Sequence, residues 1–153
     1  MIRRPPRSTL SSSSAASDVY KRQLETCKKI WDFLSTNGCD RNSLLLNLGG
    51  GVVTDIGGFA ASTMKRGIDF INIPTTLLAM VDASIGGKLA VNYNNLKNQI
   101  GLFKNPIKVL INCCFLKTLS TQELNSGYAE VIKHTLISNK DAWENLKQKF
   151  KFN

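Results

Sequence analysis

Apolar residues at Leu24, Cys27, Ile30, Trp31 and Leu34 recur at steps of three and four, which puts them on one stripe of a helix. Asn37-Gly38 ends that pattern in the usual way for a helix C-terminus. Polar residues 39–42 then lead into Ser43–Leu48, a short continuous apolar run that predicts a buried strand. Gly49-Gly50-Gly51 follows at once, and Val52–Met64 predicts a helix lined with small residues, closed by Lys65-Arg66-Gly67. Phe70–Ile73 predicts a second strand, and Pro74 separates it from a helix over Thr75–Val81. Beyond Asp82 lie a diglycine turn in Ser84–Lys88, a short extended piece at Leu89–Val91, and a strand at Ile107–Ile111 behind Pro106. Ser120 with Glu123 has the spacing of a capping box, and the pattern is helical from there, with turns expected near Asn125–Gly127 and Ser138-Asn139. Strand, helix and strand in alternation predict an α/β fold with a parallel sheet, followed by the start of a helical part.

The opening segment departs from this order. Residues 1–23 carry Pro5-Pro6, six serines between Ser8 and Ser17, and almost no large apolar side chain. Such a stretch cannot bury enough surface to offset its ordering entropy, so disorder is expected. It lacks the apolar centre of a secretory signal. Its composition is nearer an Arg- and Ser-rich transit peptide, and it resembles translated sequencing-adapter read-through more closely still, which would make it non-native. The expected organisation is therefore 1–23 as this segment, 24–119 as part of an α/β domain and 120–153 as the start of a helical one.

Charge narrows the picture little. The net charge is +9, of which residues 1–23 supply +4, and the remainder is only moderately basic. That balance suits a phosphorylated small molecule as well as a nucleic acid, and no aromatic residues are interleaved with basic clusters as single-strand binding requires. No apolar run approaches the ~20 residues of a membrane span. Cys27, Cys39, Cys113 and Cys114 form no CxxC pair and have no His-rich partner segment, so reduced, buried thiols in a cytosolic protein are expected.

Chemistry concentrates between Pro74 and Gly101, where Asp82, Lys88, Lys97 and Asn98 stand among glycines and short apolar pieces. A core does not ask for that arrangement; a small charged ligand would. Three glycines between a strand and a helix suit close approach to a pyrophosphate at the helix N-terminus, although Gly49–Asp55 matches neither GxGxxG nor a P-loop, and a plain tight turn reads the glycines as well.

The segments GGGVVTDIGGFAAS, RGIDFINIPTTLLAMVDASIGGKLAVN, LKNQIG and GYAEVIKH together resemble the 3-dehydroquinate synthase family of sugar-phosphate cyclases, over roughly residues 24–150. The resemblance implies part of an NAD-binding α/β domain, then the beginning of a helical domain, with the active site in the cleft between them. It implies cofactor contacts at Gly50, Gly51, Asp55, Thr75, Thr76, Asp82, Lys88, Lys97, Phe115, Thr118 and Leu119. Roles in holding the substrate or supporting its chemistry fall on Arg66, Asp82, Lys88, Asn98 and Lys133, and Glu130 matches one of three ligands to zinc (or cobalt). The implied reaction converts a phosphorylated seven-carbon sugar acid to 3-dehydroquinate in the shikimate pathway, by transient oxidation with NAD, phosphate elimination, re-reduction, ring opening and aldol closure. A cytoplasmic homodimeric parent is implied, with no nucleic-acid or membrane partner. Thr54 stands where the family usually has Gly, and Leu89 where it usually has Thr. His134 lies four residues from Glu130, hence on the same helix face. Because the family takes its two histidine ligands from later in the chain, His134 is read as a packing residue or a support behind the ligands. With one matched ligand, the 153-residue chain alone is expected to be inactive and to bind zinc and NAD poorly. Inosose or valiolone synthases and metal-dependent polyol dehydrogenases are the neighbouring alternatives, the Lys97-Asn98 pair and SIGGK favouring the cyclases.

Overall fold

A computed structural model describes residues 24–94 and 96–149. The segment 1–23, expected to be disordered, lies outside the described residues. Helix α1 (Leu24–Thr36) runs into a left-handed Gly38 at φ +70°, a conformation that glycine adopts without steric cost. Strand β1 (Leu44–Gly49), helix α2 (Gly51–Thr63) and strand β2 (Asp69–Pro74) follow, and β2 lies between β1 and the two-residue strand at Lys108–Val109 in a parallel sheet. The fold is α/β, as the alternation predicts. The strand expected over Ile107–Ile111 is thus only two residues long, although Ile107 and Leu110 still donate backbone bonds to Phe70 and Asn72 of β2.

Helix α2 is the centre of the molecule. Every residue from Thr54 to Ala61 is buried, as expected for a helix without a polar face. Its small residues let other elements come close: a Cβ on Gly58 would stand 2.6 Å from a Leu89 methyl, and one on Gly57 would collide with the Asn47 amide. Cys27 and Leu34 from α1, Ile56 and Phe59 from α2, Phe70 from β2, and Leu89 and Val91 complete the core. Trp31 ties α1 to α2 by donating its indole N–H to the Ala60 carbonyl at 3.0 Å. Leu45 and Asn47 face α2, whereas Leu44, Leu46 and Leu48 on the opposite sheet face are exposed. Parallel sheets are normally covered on both faces.

Three features depart from the sequence expectations. Leu89–Val91 belongs to a β-hairpin, β3 (Lys88–Tyr93) paired antiparallel with β4 (Leu96–Phe103). The polar, charged run in β4 hid that second strand. Helix α3 (Thr121–Ser138) passes through Asn125–Gly127 without a turn and stops at Asn139, before α4 (Lys140–Lys149). Gly127 is there for close packing, since its Cβ would stand 2.5 Å from the Leu78 backbone nitrogen. Of the four free cysteines only Cys27 is fully buried; Cys113 and Cys114 are exposed, because Cys113–Thr118 forms a 3-10 turn with no buried residue. Among the described residues no helix is long and apolar enough to cross a membrane.

Candidate active site

The glycine turn sits where strand β1 hands over to α2. Gly50 is the N-cap residue and no side chain caps the helix, so the first backbone N–H groups of α2 point outward with the positive end of the helix dipole. Thr75 donates its backbone N–H to the Gly49 carbonyl at 2.9 Å, and the Thr76 methyl lies where a Cβ on Gly50 would fall, at 3.1 Å. The structure therefore brings Gly50, Gly51, Thr75 and Thr76 to one strand end. Thr54 turns its hydroxyl back onto the Gly51 carbonyl at 3.1 Å and is buried, which explains how a larger residue is accommodated there. Leu89 is core, packed on Gly58, and also lines the cavity that Asp55, Lys88 and Asn98 border.

From Leu77 the chain is helical, and its end, Ala79–Ala83, widens to a π-turn rather than stopping at Val81. Such turns recur at functional sites because the extra residue changes the direction of the side chains it carries; here it carries Asp82. A buried polar ladder fixes the exit from that turn. Asn47 donates to Asn72 across the two strands at 3.0 Å, and Asn72 donates to the Ser84 carbonyl at 3.4 Å. The Ser84 hydroxyl, 2 % exposed, has no partner among the described residues. An amide in the middle of each apolar strand was the sequence signal for this ladder, and it was missed.

The hairpin positions the next group. Three residues of β4, Lys97–Gln99, stand opposite Asn92 alone, which makes a bulge. Asn98 takes φ +54° and donates its backbone N–H to the Asn92 carboxamide oxygen at 3.0 Å. Bulges re-aim side chains, and this one brings Asn98 to a cavity of about 290 Å³ that Asp55 and Lys88 also line. Lys97 is exposed on the same bulge.

Helix α3 packs on the Leu77–Ala83 segment and brings a second set of groups to Asp82. Ser120 accepts the Glu123 backbone N–H at 3.3 Å, fixing the start of the helix. Glu130, Lys133 and His134, at helical spacing, meet Asp82. The His134 Nε2 lies 3.2 Å from Asp82 Oδ1 and 3.9 Å from Glu130 Oε2. Lys133 Nζ pairs with Glu130 Oε2 and lies 3.5 Å from Asp82 Oδ1. The hydrogen bond to Glu130, with the charge of Asp82 beside it, holds the Lys133 ammonium above the ordinary lysine range. One ligand atom each from Asp82, Glu130 and His134 lies within 4.8 Å of the others. Two oxygens and an imidazole nitrogen at that spacing are a donor set suited to a divalent transition metal. His134, set aside in the sequence as a support, thus stands in the cluster itself, and its i,i+4 spacing from Glu130 was the signal.

Other candidates lie apart. Arg66 is exposed at φ +73° beyond the C-terminus of α2, about 20 Å along the helix from Gly50. Phe115, Thr118 and Leu119 sit on and just after the Cys113–Thr118 turn, where the Thr118 hydroxyl caps the Phe115 carbonyl at 3.3 Å. None of the ion pairs of the Asp82 cluster involves either group.

A glycine turn at a strand end, with a carboxylate–imidazole cluster brought in by a later helix, suits a metal-assisted nucleotide-cofactor enzyme. The family profile described as 3-dehydroquinate synthase N-terminal matches residues 13–126, and the chain belongs to that family. A 3-dehydroquinate synthase of Parabacteroides distasonis is 60% identical over 110 residues, spanning 72% of this chain and 31% of the relative. One from Clostridium tetani is 47% identical over 130 residues, 85% of this chain and 35% of the relative. The chain spans about a third of the length of these curated relatives. Among solved structures, 2-epi-5-epi-valiolone synthase from Streptomyces hygroscopicus subsp. jinggangensis, with NAD⁺ and Zn²⁺ bound, superposes with a TM-score of 0.74 at 39% identity, over 76% of this chain and 32% of that one. A 2-deoxy-scyllo-inosose synthase complexed with carbaglucose-6-phosphate, NAD⁺ and Co²⁺ gives 0.75 at 31% identity, over 78% and 33%. An iron-containing alcohol dehydrogenase at 13% identity and TM-score 0.61 shares the fold alone.

Proposed function

We propose that this chain forms the NAD-binding part (24–119) and the first helical segment (120–153) of a 3-dehydroquinate synthase. The reaction is conversion of 3-deoxy-D-arabino-heptulosonate 7-phosphate to 3-dehydroquinate and phosphate, in the shikimate route to aromatic amino acids. The observation that carries the reading is the meeting of Asp82 with Glu130, Lys133 and His134, at residues that fall within the family's own motifs. In this reading the pyrophosphate of NAD lies on the uncapped N-terminus of α2 at Gly50 and Gly51, with Thr75, Thr76 and Asp55 beside it and Phe115, Thr118 and Leu119 as further contacts. Glu130 would hold zinc or cobalt, with Asp82 and His134 beside it. When bound, NAD takes up and returns a hydride while the metal polarises the alcohol that gives it up.

The chain's own groups do the rest. Lys88, Lys97 and Lys133 offset the charges of a phosphate and a carboxylate as point-charge partners. Asn98, held by the bulge, orients a substrate hydroxyl, and Asp82 is placed by the π-turn to take or return a proton at that edge. Arg66, exposed beyond the C-terminus of α2, is a further substrate contact in this reading, and the parent is a cytoplasmic homodimer. Phosphate release from 3-deoxy-D-arabino-heptulosonate 7-phosphate by the protein carrying this chain, with NAD⁺ and Zn²⁺ present, tests the reading. Release only from a hexose 6-phosphate, the class that the inosose synthase ligand mimics, would replace it with that neighbouring cyclase activity.

A further inference from the structure

The π-turn Ala79–Ala83 is closed by the Ser84 backbone N–H, which donates to the Ala79 carbonyl, five residues back, at 3.0 Å. A bond to Met80 instead would restore the commoner α-helical spacing. It would take the extra residue out of the turn and rotate its end, Asp82 included, by up to about 100°. The wide form therefore implies a hold from outside the helix, and the Asn72 amide is placed to supply it. That amide donates to the Ser84 carbonyl at 3.4 Å, from a residue only 2 % exposed. The Ser84 hydroxyl gives no such hold, since it has no partner among the described residues. A carbonyl only accepts, so the amide nitrogen of Asn72 must face Ser84 and its oxygen must face Asn47, which donates to it at 3.0 Å. Asn47 in turn is seated against Gly57 of α2, where any Cβ would collide with its oxygen.

We propose that Asn72 is a positioning residue for Asp82: by holding the Ser84 carbonyl it keeps the turn one residue wide, and so fixes the direction in which the Asp82 carboxylate enters the cleft. Asn47 satisfies the Asn72 oxygen and supplies stability, not aim. This rests on the reading in which Asp82 meets cofactor or substrate. Stability and turnover then become separable. Stability follows whether the two buried amides are matched, whereas turnover follows whether residue 72 can donate to Ser84.

The test introduces Asn72→Leu, Asn47→Leu and Asn47→Leu/Asn72→Leu into the protein carrying this chain. Denaturant midpoints are compared with kcat and KM for phosphate release from 3-deoxy-D-arabino-heptulosonate 7-phosphate, with NAD⁺ and Zn²⁺ present. Each single variant strands a buried amide and should lose stability, and the double variant should regain part of it. Asn47→Leu should keep kcat within about threefold of the parent, whereas Asn72→Leu and the double variant should both lose about 10- to 100-fold in kcat with little change in KM, the scale of an ångström-level misplacement. Hydrogen exchange at the Ser84 amide reads the turn without activity: it should quicken in both variants that lack Asn72 and not in Asn47→Leu. A folded double variant with the parental kcat overturns the positioning role, as does Ser84 exchange that loss of Asn72 leaves unchanged. If Asn72→Leu does not fold, the double variant decides. If the parent protein releases no phosphate from that substrate, the reading of the site falls, and Ser84 exchange alone decides whether Asn72 holds the turn.

Discussion

Gly127 is the contact on which the cluster depends, and Gly127→Ala tests that directly. A methyl group there would stand 2.5 Å from the Leu78 nitrogen, 2.6 Å from Leu77 Cβ and 2.8 Å from the Leu77 carbonyl carbon. The two nearest backbone atoms cannot swing aside as a side-chain tip can. Restoring an ordinary contact of 3.4 Å requires α3 and the Leu77–Ala83 helix to part by about 0.9 Å. The first carries Glu130, Lys133 and His134, the second Asp82, so the 3.2 Å His134–Asp82 contact would open to about 4 Å, past hydrogen-bond range. Overpacking costs about 1–3 kcal/mol, against which alanine returns about 1 kcal/mol of helix propensity. The expected net loss in urea denaturation is about 0–2 kcal/mol, together with weaker binding of Zn²⁺. A variant as stable as the parent, with unchanged zinc affinity, would refute the reasoning, because helix propensity alone predicts stabilisation.

Leu89→Ala should lose about 2–5 kcal/mol as a buried truncation, whereas Leu46→Ala, on the open sheet face at 47% exposure, should lose under about 1 kcal/mol; denaturant midpoints compare them. Asn72→Leu strands the Asn47 amide and should cost about 1–3 kcal/mol, a loss that the double variant Asn47→Leu/Asn72→Leu should partly recover. Burial pushes the Cys27 thiol from 9.0 up to about 12. The folded chain therefore holds a proton that the unfolded chain releases, and stability should fall as pH rises from about 9 towards 12. Cys27→Ser should flatten that decline, read by chemical denaturation at each pH.

Much of the fold was legible because its signals are local. The stripe through Leu24, Cys27 and Trp31, the apolar run ending at Gly49, and the Ser120–Glu123 cap each act within a turn or two of chain. The hairpin was not, because β4 holds Lys97, Asn98 and Gln99 in a bulge whose partner is β3, and neither propensity nor alternation marks a bulged edge strand. Gly127 misled for a related reason: read locally it is a helix breaker, but its role is set by Leu77 and Leu78, some fifty residues earlier. The candidate site was readable as residue types in motifs, and its geometry was not. Nothing in the local sequence tells that a π-turn aims Asp82 at His134, or that Lys133 lies across both carboxylates.

In the proposed reading Glu130, beside Asp82 and His134, is a metal ligand at the edge of a nucleotide-cofactor cleft. Crystals of the protein carrying this chain, grown with Zn²⁺ and NAD⁺ and measured at the zinc absorption edge, test it most directly. An anomalous peak about 2.0–2.2 Å from a Glu130 carboxylate oxygen is expected. A zinc peak elsewhere, with none at Glu130, would contradict that reading.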